Sequence, residues 1–340
     1  MMTIEFGFYC AHEQYDPVTL LEFAVEAERN GFDCIWSSDH FHPWSHTNAH
    51  SGFALSWLGI AAERTRKARI GAVCAPIMRY HPALLAQAFA TLDYIYPNRV
   101  FMCLATGEAM NEMPLGLRWP SYSERLMRVR ESFEIIRALY MNEFVDYDGK
   151  YYKLKQANLY TKPKTKIPIY MVASGKQSGY VAGYYADGVV VSARVFEQVF
   201  TKEVLPAMEK GAEDAGREFS TIRKIVHTIA SYDEDLEKAI EGCRFWNPTM
   251  VPGVFESAIY DPRELEELGK TITREQILQK RFIMTCEEDA LRRIEKWIRL
   301  GVNQIEFLST SPDQRKFIKF MGNKIIPYIK ESYKDINSSI

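Results

Sequence analysis

Short apolar runs alternate with longer amphipathic stretches along most of this 340-residue chain. Short hydrophobic runs bounded by turn residues predict buried strands, whereas apolar positions spaced by three and four predict helices. Helical patterns separate the runs, for example the stretch that stops at Gly31 and the one that begins at Pro82. Eight runs are clear, at residues 4–10, 33–38, 69–75, 99–105, 167–173, 188–193, 222–232 and 303–309.

Near-continuous apolar strands that alternate with helices indicate a parallel sheet covered on both faces. Eight repeats favour a (β/α)8 TIM barrel, and no glycine-rich dinucleotide fingerprint follows the first strand. A doubly wound sheet stays the alternative. We expect one barrel domain over residues 1–334 and a tail at 335–340. Within the barrel we expect a β-hairpin insertion near 144–155, indicated by Asp148-Gly149, and a further insertion near 244–280.

Composition removes several classes of function. Hydrophobic residues make up 47% and charged residues 25%, and the net charge of −2 lacks the basic field of nucleic-acid binders. No apolar run reaches the ~20 residues of a membrane helix, and the N-terminus lacks the pattern of a signal peptide. The six cysteines form no C-x-x-C pair, which indicates free, reduced thiols. We therefore predict a cytoplasmic protein that binds neither nucleic acid nor membrane.

Unusual polar and aromatic residues follow the predicted strands. In a barrel these segments form the active-site face. They read "AHEQY", "DHFHPW", "PIMRY", "TGEAMNE" and "SGKQSG" after strands one to five. The segment 37–50 alone holds four of the seven histidines, together with Asp39 and Trp44. Candidate chemistry is therefore concentrated where a barrel enzyme would place it.

The histidine-rich segment has three interpretations. Asp39, His40 and His42 could ligate a metal, but the helical spacing of zinc-binding histidines is missing, so we expect no metal. His42, His46 and His50 are best explained as a solvated loop.

Acid–base chemistry is the third interpretation, and it applies to His40. An imidazole at a strand mouth can take a proton from an alcohol during hydride removal. Glu108, after the fourth strand, is a second titratable group on the same face. The alternative for Glu108 is a carboxylate that only stabilises a helix N-terminus.

Several uncommon segments carry a family resemblance. They are "EQY", "SDHFHPW", "RYHPALLAQAFATL", "YPNRVFMCLATGEAMNE", "YYKLKQANLYTKP", "CRFWNP" and "DQRKF", in order from about residue 4 to 330. On these residues the chain resembles the coenzyme F420-dependent oxidoreductases of the luciferase-like superfamily. The resemblance implies a (β/α)8 barrel with insertions, a homodimer, and hydride transfer to the deazaflavin coenzyme F420.

The resemblance also implies roles for single residues. His40 matches the proposed base on the substrate hydroxyl, Trp44 an indole beside the reacting carbon, and Glu108 a carboxyl that protonates the coenzyme or holds the substrate oxygen. A non-prolyl cis peptide under the deazaflavin would fall at Ala72–Val73. The coenzyme contacts would be Asp39, Ala72, Val73, Thr106 and Gly107 around the ring, with Ala173, Ser174, Gly175, Lys176 and Gln177 around the phosphate.

The substrate is the least determined part of the resemblance. Arg281 matches an arginine that binds a sugar phosphate in one group of the family, but Val195 and Glu256 stand where that group has lysines. Trp246 belongs to an apolar set that would wall a pocket for small secondary alcohols, with Phe245, Met250, Val251 and Phe255. The alternative is that these five residues are plain core.

We therefore expect an F420-dependent dehydrogenase that acts on a small secondary alcohol. The alternatives are a sugar-phosphate (glucose 6-phosphate type) dehydrogenase and a reductase of the methylenetetrahydromethanopterin type. A metal-dependent hydrolase and a non-catalytic coenzyme carrier lie outside hydride transfer and stay open.

Overall fold

The computed structural model describes residues 3–334, apart from the side chains of residues 195–197. The side chain of Val195 and the predicted tail at 335–340 therefore lie outside the described residues. The strands, in chain order, are β1 (Glu5–Cys10), β2 (Cys34–Ser37), β3 (Arg69–Cys74), β4 (Val100–Leu104), β5 (Val145–Asp148), β6 (Lys153–Ala157), β7 (Ile169–Val172), β8 (Gly188–Ser192), β9 (Arg223–Tyr232), β10 (Phe282–Met284) and β11 (Gln304–Ser309).

Eight of these strands form a closed parallel barrel. The order is β1-β2-β3-β4-β7-β8-β9-β11, and β11 pairs with β1 to close the ring. This confirms the predicted (β/α)8 barrel and removes the doubly wound alternative. The short β10 was missed by the sequence pattern. It extends the sheet beside the far end of β9, where Phe282 pairs with Ala230.

The main helices lie outside the barrel and follow its strands. One of them begins at Pro82, as the sequence indicates, and the side chains of Asp16 and His81 cap the starts of two helices. Their bounds are α1 (Pro17–Arg29), α2 (Ala54–Arg64), α3 (Pro82–Ile95), α4 (Ala109–Glu112), α5 (Tyr122–Met141), α6 (Lys176–Tyr185), α7 (Leu205–Asp214), α8 (Leu236–Gly242), α9 (Pro262–Gly269), α10 (Arg274–Lys280), α11 (Glu287–Arg299), α12 (Gln314–Phe320) and α13 (Ile326–Ser332). None of these helices is both long enough and apolar enough to cross a membrane.

The barrel interior is a packed core separate from the layer under the helices. Trp36, Phe101 and Tyr170 stack across it, with ring centroids 4.4 to 5.9 Å apart. Gly71 on β3 makes room for this stack, because a Cβ there would lie 2.3 Å from the carbonyl oxygen of Phe101. The filled interior leaves the carboxyl ends of the strands as the open face of the barrel.

The strands β5 and β6 form a separate antiparallel hairpin. Glu131 of α5 accepts hydrogen bonds from the backbone amides of Lys150, Tyr151 and Tyr152. The hydroxyl of Tyr152 then donates to the carbonyl oxygens of residues 76 and 77, after β3, at 2.7 and 2.8 Å. The hairpin therefore holds the loop that leads from β3 towards the mouth. The domain division at 1–334 stays a prediction.

Candidate active site

His40 lies at the mouth of the barrel between two carboxylates. Its Nδ1 atom forms a salt bridge with Glu13, which follows β1, and its Nε2 atom lies 3.7 Å from Oε2 of Glu108, which follows β4. Burial lowers the pKa of His40, but the charges of Glu13 and Glu108 outweigh burial and raise the pKa to about 9. The imidazole is therefore protonated at neutral pH.

Glu13 is a site residue that the sequence interpretation missed. Its side chain is fully buried, and Oε2 accepts a hydrogen bond from the hydroxyl of Ser38 at 2.7 Å. Burial raises the pKa of Glu13, but His40 and Ser38 overcome this and hold it below its usual value. The segment "AHEQY" already pointed to the mouth, but no pattern within it indicates which neighbour the carboxylate contacts.

Asp39, the predicted coenzyme contact, is buried and paired inside the protein. Its Oδ2 atom lies 2.8 Å from Nη2 of Arg79, and Oδ1 accepts from the hydroxyl of Tyr80 at 3.2 Å. Burial raises the pKa of Asp39, against the opposing charge of Arg79. The same Arg79 donates its backbone amide to the buried Glu112. Asp39 thus organises the loop after β3, and the sequence pattern identified neither Arg79 nor Tyr80.

Aromatic side chains wall the site on one side. The Trp44 ring packs edge-on against His40, with centroids 6.2 Å apart, and against Phe255 at 5.1 Å. The Trp246 indole donates to the side-chain oxygen of Gln14 at 2.8 Å. Trp44 and Trp246 are each only 3% exposed. The structure therefore brings Trp44 and Trp246 into the lumen core and sets Trp44 beside the predicted base.

Arg281, which the resemblance places at a substrate phosphate, and the nearby Arg194 both contact Thr249. Arg281 donates to the Trp246 carbonyl at 2.5 Å and to Oγ1 of Thr249 at 2.8 Å, and Arg194 donates to the Thr249 carbonyl at 2.8 Å. Burial and the nearby Arg194 lower the pKa of Arg281 to about 10, although Cys243 opposes them. The role of Arg281 in substrate binding stays a prediction.

Glu256, at a position where the sugar-phosphate group of the family has a lysine, pairs with an arginine of the protein itself. Its carboxylate lies 2.6 Å from Nη2 of Arg125, a nearly buried residue of α5. Arg125 also donates to the carbonyl oxygens of Thr106 and Gly107, at 3.4 and 3.3 Å, and stacks on the Trp119 ring. The predicted ring contacts after β4 are thus held by a cation that is tied to Glu256.

The segment predicted to hold the coenzyme phosphate starts α6. Ala173 is buried, but Ser174, Lys176 and Gln177 are exposed. The amides of Ser174 and Gly175 donate to Oγ of Ser178. The amides of Lys176 and Gln177 begin the helix and have no intrahelical acceptor. The first turn of α6 and the Lys176 ammonium group therefore suit an anion here.

The prediction of a cis peptide at Ala72–Val73 is wrong for this structure, since the described residues contain no cis peptide bond. Both residues are regular members of β3, with Ala72 paired to Met102 and Val73 to Cys103. An extended trans peptide preserves this ladder of hydrogen bonds. Val73 still lies on the lumen side, among the partly buried residues at the mouth.

The other histidines of the 37–50 segment serve the loop. His42 Nδ1 lies 3.0 Å from the Tyr260 carbonyl, and the backbone amides of His46 and Thr47 both donate to Glu266. Residues 46–47 are thereby fastened to α9. No cluster of three or more histidine, cysteine or acidic residues fit for a metal ion occurs within residues 3–334.

Sequence comparison agrees with this geometry. The profile of the luciferase-like monooxygenase family matches residues 4–302. An F420-dependent glucose-6-phosphate dehydrogenase from Segniliparus rotundus is 37% identical over 331 residues, 97% of this chain and 99% of the relative. The enzyme of the same name from Mycobacterium tuberculosis is 36% identical over 333 residues, 97% of this chain and 99% of its own length. The chain belongs to the luciferase-like family, among its F420-dependent oxidoreductases.

One solved structure gives the same family placement, and a second supports the fold. A structure of an F420-dependent secondary alcohol dehydrogenase in complex with an F420-acetone adduct superposes with a TM-score of 0.92 at 35% identity, covering 96% of this luciferase-like chain and 99% of that one. The coenzyme F420-dependent tetrahydromethanopterin reductase of Methanopyrus kandleri has a TM-score of 0.77 at 24% identity, over 96% of this chain and 99% of that one, and supports the fold alone.

Proposed function

We propose that this protein is an F420-dependent dehydrogenase that transfers hydride between a small secondary alcohol and the deazaflavin coenzyme. The observation that carries the proposal is the position of His40, held between Glu13 and Glu108 and packed against Trp44 at the barrel mouth. A proton carrier beside an apolar wall is what alcohol oxidation and ketone reduction require. The relatives named above make F420 the expected hydride carrier.

The residues present fit the coenzyme at both ends. The turn after β4 offers Thr106 and Gly107, with their carbonyl oxygens fixed by Arg125. The first turn of α6 offers backbone amides and Lys176 to a phosphate. Glu203 is the opposing feature, because its carboxylate lies beside Gly175. When bound, the deazaflavin supplies the carbon that accepts or gives the hydride.

The pKa of His40 determines its part in each direction. With a pKa of about 9, the imidazolium is ready at neutral pH to donate a proton to a carbonyl oxygen. In alcohol oxidation the ring must first lose its proton, and only then can Nε2 take the hydroxyl proton. Glu13 holds Nδ1 and keeps the ring in place in both forms. Trp44 excludes water beside it.

The proposal is tested by following the absorbance of oxidised F420 with propan-2-ol and, in reverse, reduced F420 with acetone. His40→Asn should lower kcat by about 100-fold or more and leave the dissociation constant of F420 within threefold of wild type. His42→Asn, in the same loop, is the matched control and should behave as wild type. A wild-type protein that binds F420 but turns over no alcohol, ketone or sugar phosphate contradicts the proposal.

A sugar phosphate is the second candidate substrate, and the two arginines favour it. The pKa of each guanidinium is lowered, chiefly by burial, and no carboxylate among the described residues contributes to either shift. Two cations without an acidic partner can take a phosphate. Against this, both already donate to Thr249, and Glu256 adds a negative charge near Phe255.

The arginines also provide the test between the two substrates. Arg281→Met should raise the KM for glucose 6-phosphate by about tenfold or more and leave the KM for propan-2-ol within twofold, if the phosphate is bound here. An equal change for both substrates would mean that the substitution disturbs the Trp246–Thr249 segment rather than an anion site. No turnover of glucose 6-phosphate by wild type removes this candidate.

A further inference from the structure

A second histidine–carboxylate pair lies inside the barrel. His227 on β9 and Glu306 on β11 are register partners on neighbouring strands, and Gly7 on β1 continues the same row. The Nδ1 atom of His227 lies 2.9 Å from Oε1 of Glu306. The mechanism described above uses neither residue.

The His227 side chain points into the lumen. Alternate residues of a strand face opposite sides. On β9, Ile225 and Ile229 belong to the lumen core, whereas Val226 belongs to the core under the helices. The His227 side chain is 24% exposed and that of Glu306 only 1%. Ile225, the next lumen residue towards the amino end of β9, is buried, so the exposed part of the imidazole faces the carboxyl ends of the strands.

Glu306 is placed to orient the imidazole. Burial raises the pKa of Glu306, and His227 opposes the rise. The second carboxylate oxygen, Oε2, is buried and has no hydrogen-bond partner within residues 3–334. A carboxylate at Nδ1 determines the orientation of an imidazole and leaves Nε2 as the atom that faces outward. The pair therefore presents a single directed group to the lumen.

Tyr9 separates this pair from the one at the mouth. Its ring packs edge-on against His227, with centroids 5.0 Å apart, and β1 leads from Tyr9 to Glu13. Burial, followed by the charges of Glu13 and Glu306, raises the pKa of Tyr9 well above its usual value, so the phenol stays neutral. Tyr9 therefore lies close to both histidine–carboxylate pairs.

On its other side His227 is the register partner of Ser192 on β8, and the lumen core beyond this row is mostly apolar. The partly buried residues that pack on the lumen core at the mouth are Val73, Val172, Ile229, Phe245, Val251, Phe255 and Ile259. In pockets of this kind a few placed polar groups determine the orientation of the ligand. Because His227 lies deeper than these residues, its Nε2 atom can form a hydrogen bond only with a ligand that reaches into the lumen.

We propose that His227 is a ligand-binding residue, and that its Nε2 atom makes a hydrogen bond to an uncharged oxygen of the molecule bound in the lumen. This oxygen is a carbonyl of the coenzyme ring or the hydroxyl or carbonyl oxygen of the substrate. Glu306 is a positioning residue that acts through His227. The inference rests on the proposed function, because the coenzyme and substrate would then occupy the space above His227.

The experiment compares His227→Leu, His227→Gln and Glu306→Gln in the full-length protein, with His46→Leu as a surface control. The dissociation constant of F420 is measured by fluorescence titration without substrate, and kcat and KM with propan-2-ol. We expect His227→Leu to weaken one of the two ligands by about 10- to 100-fold. His227→Gln keeps a hydrogen-bonding group and should stay within about fivefold.

The two arms identify the source of the oxygen. A change in the F420 dissociation constant assigns it to the coenzyme, and a change in KM alone assigns it to the substrate. The inference is overturned if His227→Leu melts like wild type and changes neither quantity.

If His227→Leu does not fold, imidazole nitrogen NMR carries the test. The His227 signal, assigned by its loss in His227→Gln, should move when F420 or propan-2-ol is added, and an unmoved signal overturns the inference. Failure of the proposed function is distinguishable, because wild type itself would then either not bind F420 or bind it without turnover, whatever the His227 variants do.

Discussion

Glu13 and His40 form a salt bridge where β1 and β2 end, with the carboxylate fully buried and the imidazole only partly so. A buried carboxylate on one nitrogen and Glu108 near the other give His40 a pKa of about 9. A group expected from its type to be a base at neutral pH is thus an acid there. This relationship determines how activity and stability depend on pH.

The pH profile should differ in sign between the two directions. Alcohol oxidation needs the neutral imidazole, so kcat/KM with propan-2-ol should rise with pH until about 9. Acetone reduction needs the imidazolium, so kcat/KM with acetone should fall over the same pH interval. Initial rates from pH 6 to 10 with F420 saturating would check this. Parallel profiles in both directions would show that His40 is not the group that titrates.

Glu13→Gln should change the pH dependence of stability. The pKa of His40 is raised from 6.5 to about 9 in the folded protein, so its contribution is fully present below pH 6.5 and is lost as pH rises through 9. The total is on the order of 3 kcal/mol. The free energy of unfolding of wild type, measured with urea, should fall between pH 6.5 and 9, and that of Glu13→Gln should fall less. Equal slopes would contradict the salt bridge as the cause.

Gly71→Ala should destabilise the barrel. The added Cβ would lie 2.3 Å from the Phe101 carbonyl oxygen and 2.5 Å from its ring, both inside the lumen core. We expect a loss of about 3 kcal/mol, since overpacking a tight core forces backbone shifts. Gly59→Ala is the control, because its Cβ meets only Leu92, at 3.9 Å, and a helix gains about 1 kcal/mol from alanine. Thermal melts should show a lower melting temperature than wild type for Gly71→Ala and an equal or higher one for Gly59→Ala.

Glu256→Gln and Arg125→Met should differ in how much stability they remove. The Glu256 side chain is 59% exposed, so removing its charge should cost less than about 1 kcal/mol. Arg125→Met also removes the donors to Thr106 and Gly107 and should cost about 2–4 kcal/mol and weaken F420 binding. Denaturant midpoints and fluorescence titrations measure the two effects. A large loss in Glu256→Gln would show that the salt bridge, rather than the carbonyl contacts, holds this turn.

The barrel was predictable because hydrophobic alternation is local. Each of the eight predicted strands lies within two residues of an observed one at both ends. The missed β10 has only three residues, Phe282–Met284, too few to show a pattern. The domain limits, the homodimer and the cytoplasmic location stay predictions.

In the candidate site, the sequence predicted residues that stand out individually after a strand, but not the pairs that they form. His40, Trp44 and Glu108 stand out after their strands, and the structure brings His40 close to both of the others. The partners Glu13 and Arg79 are on other loops, and pairing across loops depends on side-chain direction rather than on spacing. For the same reason neither Glu256 nor Arg125 indicated the other.

The hairpin of β5 and β6 cannot be exchanged between relatives on its own, because its contacts extend to α5 and to the loop after β3. Tyr152 holds the carbonyl oxygens after β3, and Glu131 of α5 holds the hairpin turn in its place. A chimera that replaced residues 144–157 alone would leave the carbonyl of residue 76 without the Tyr152 donor and the carbonyl of residue 77 with only Arg128 of α5, close to the Arg79 that pairs with Asp39. A chimera that is to keep a working pocket therefore has to take the hairpin, α5 and the loop after β3 from the same parent.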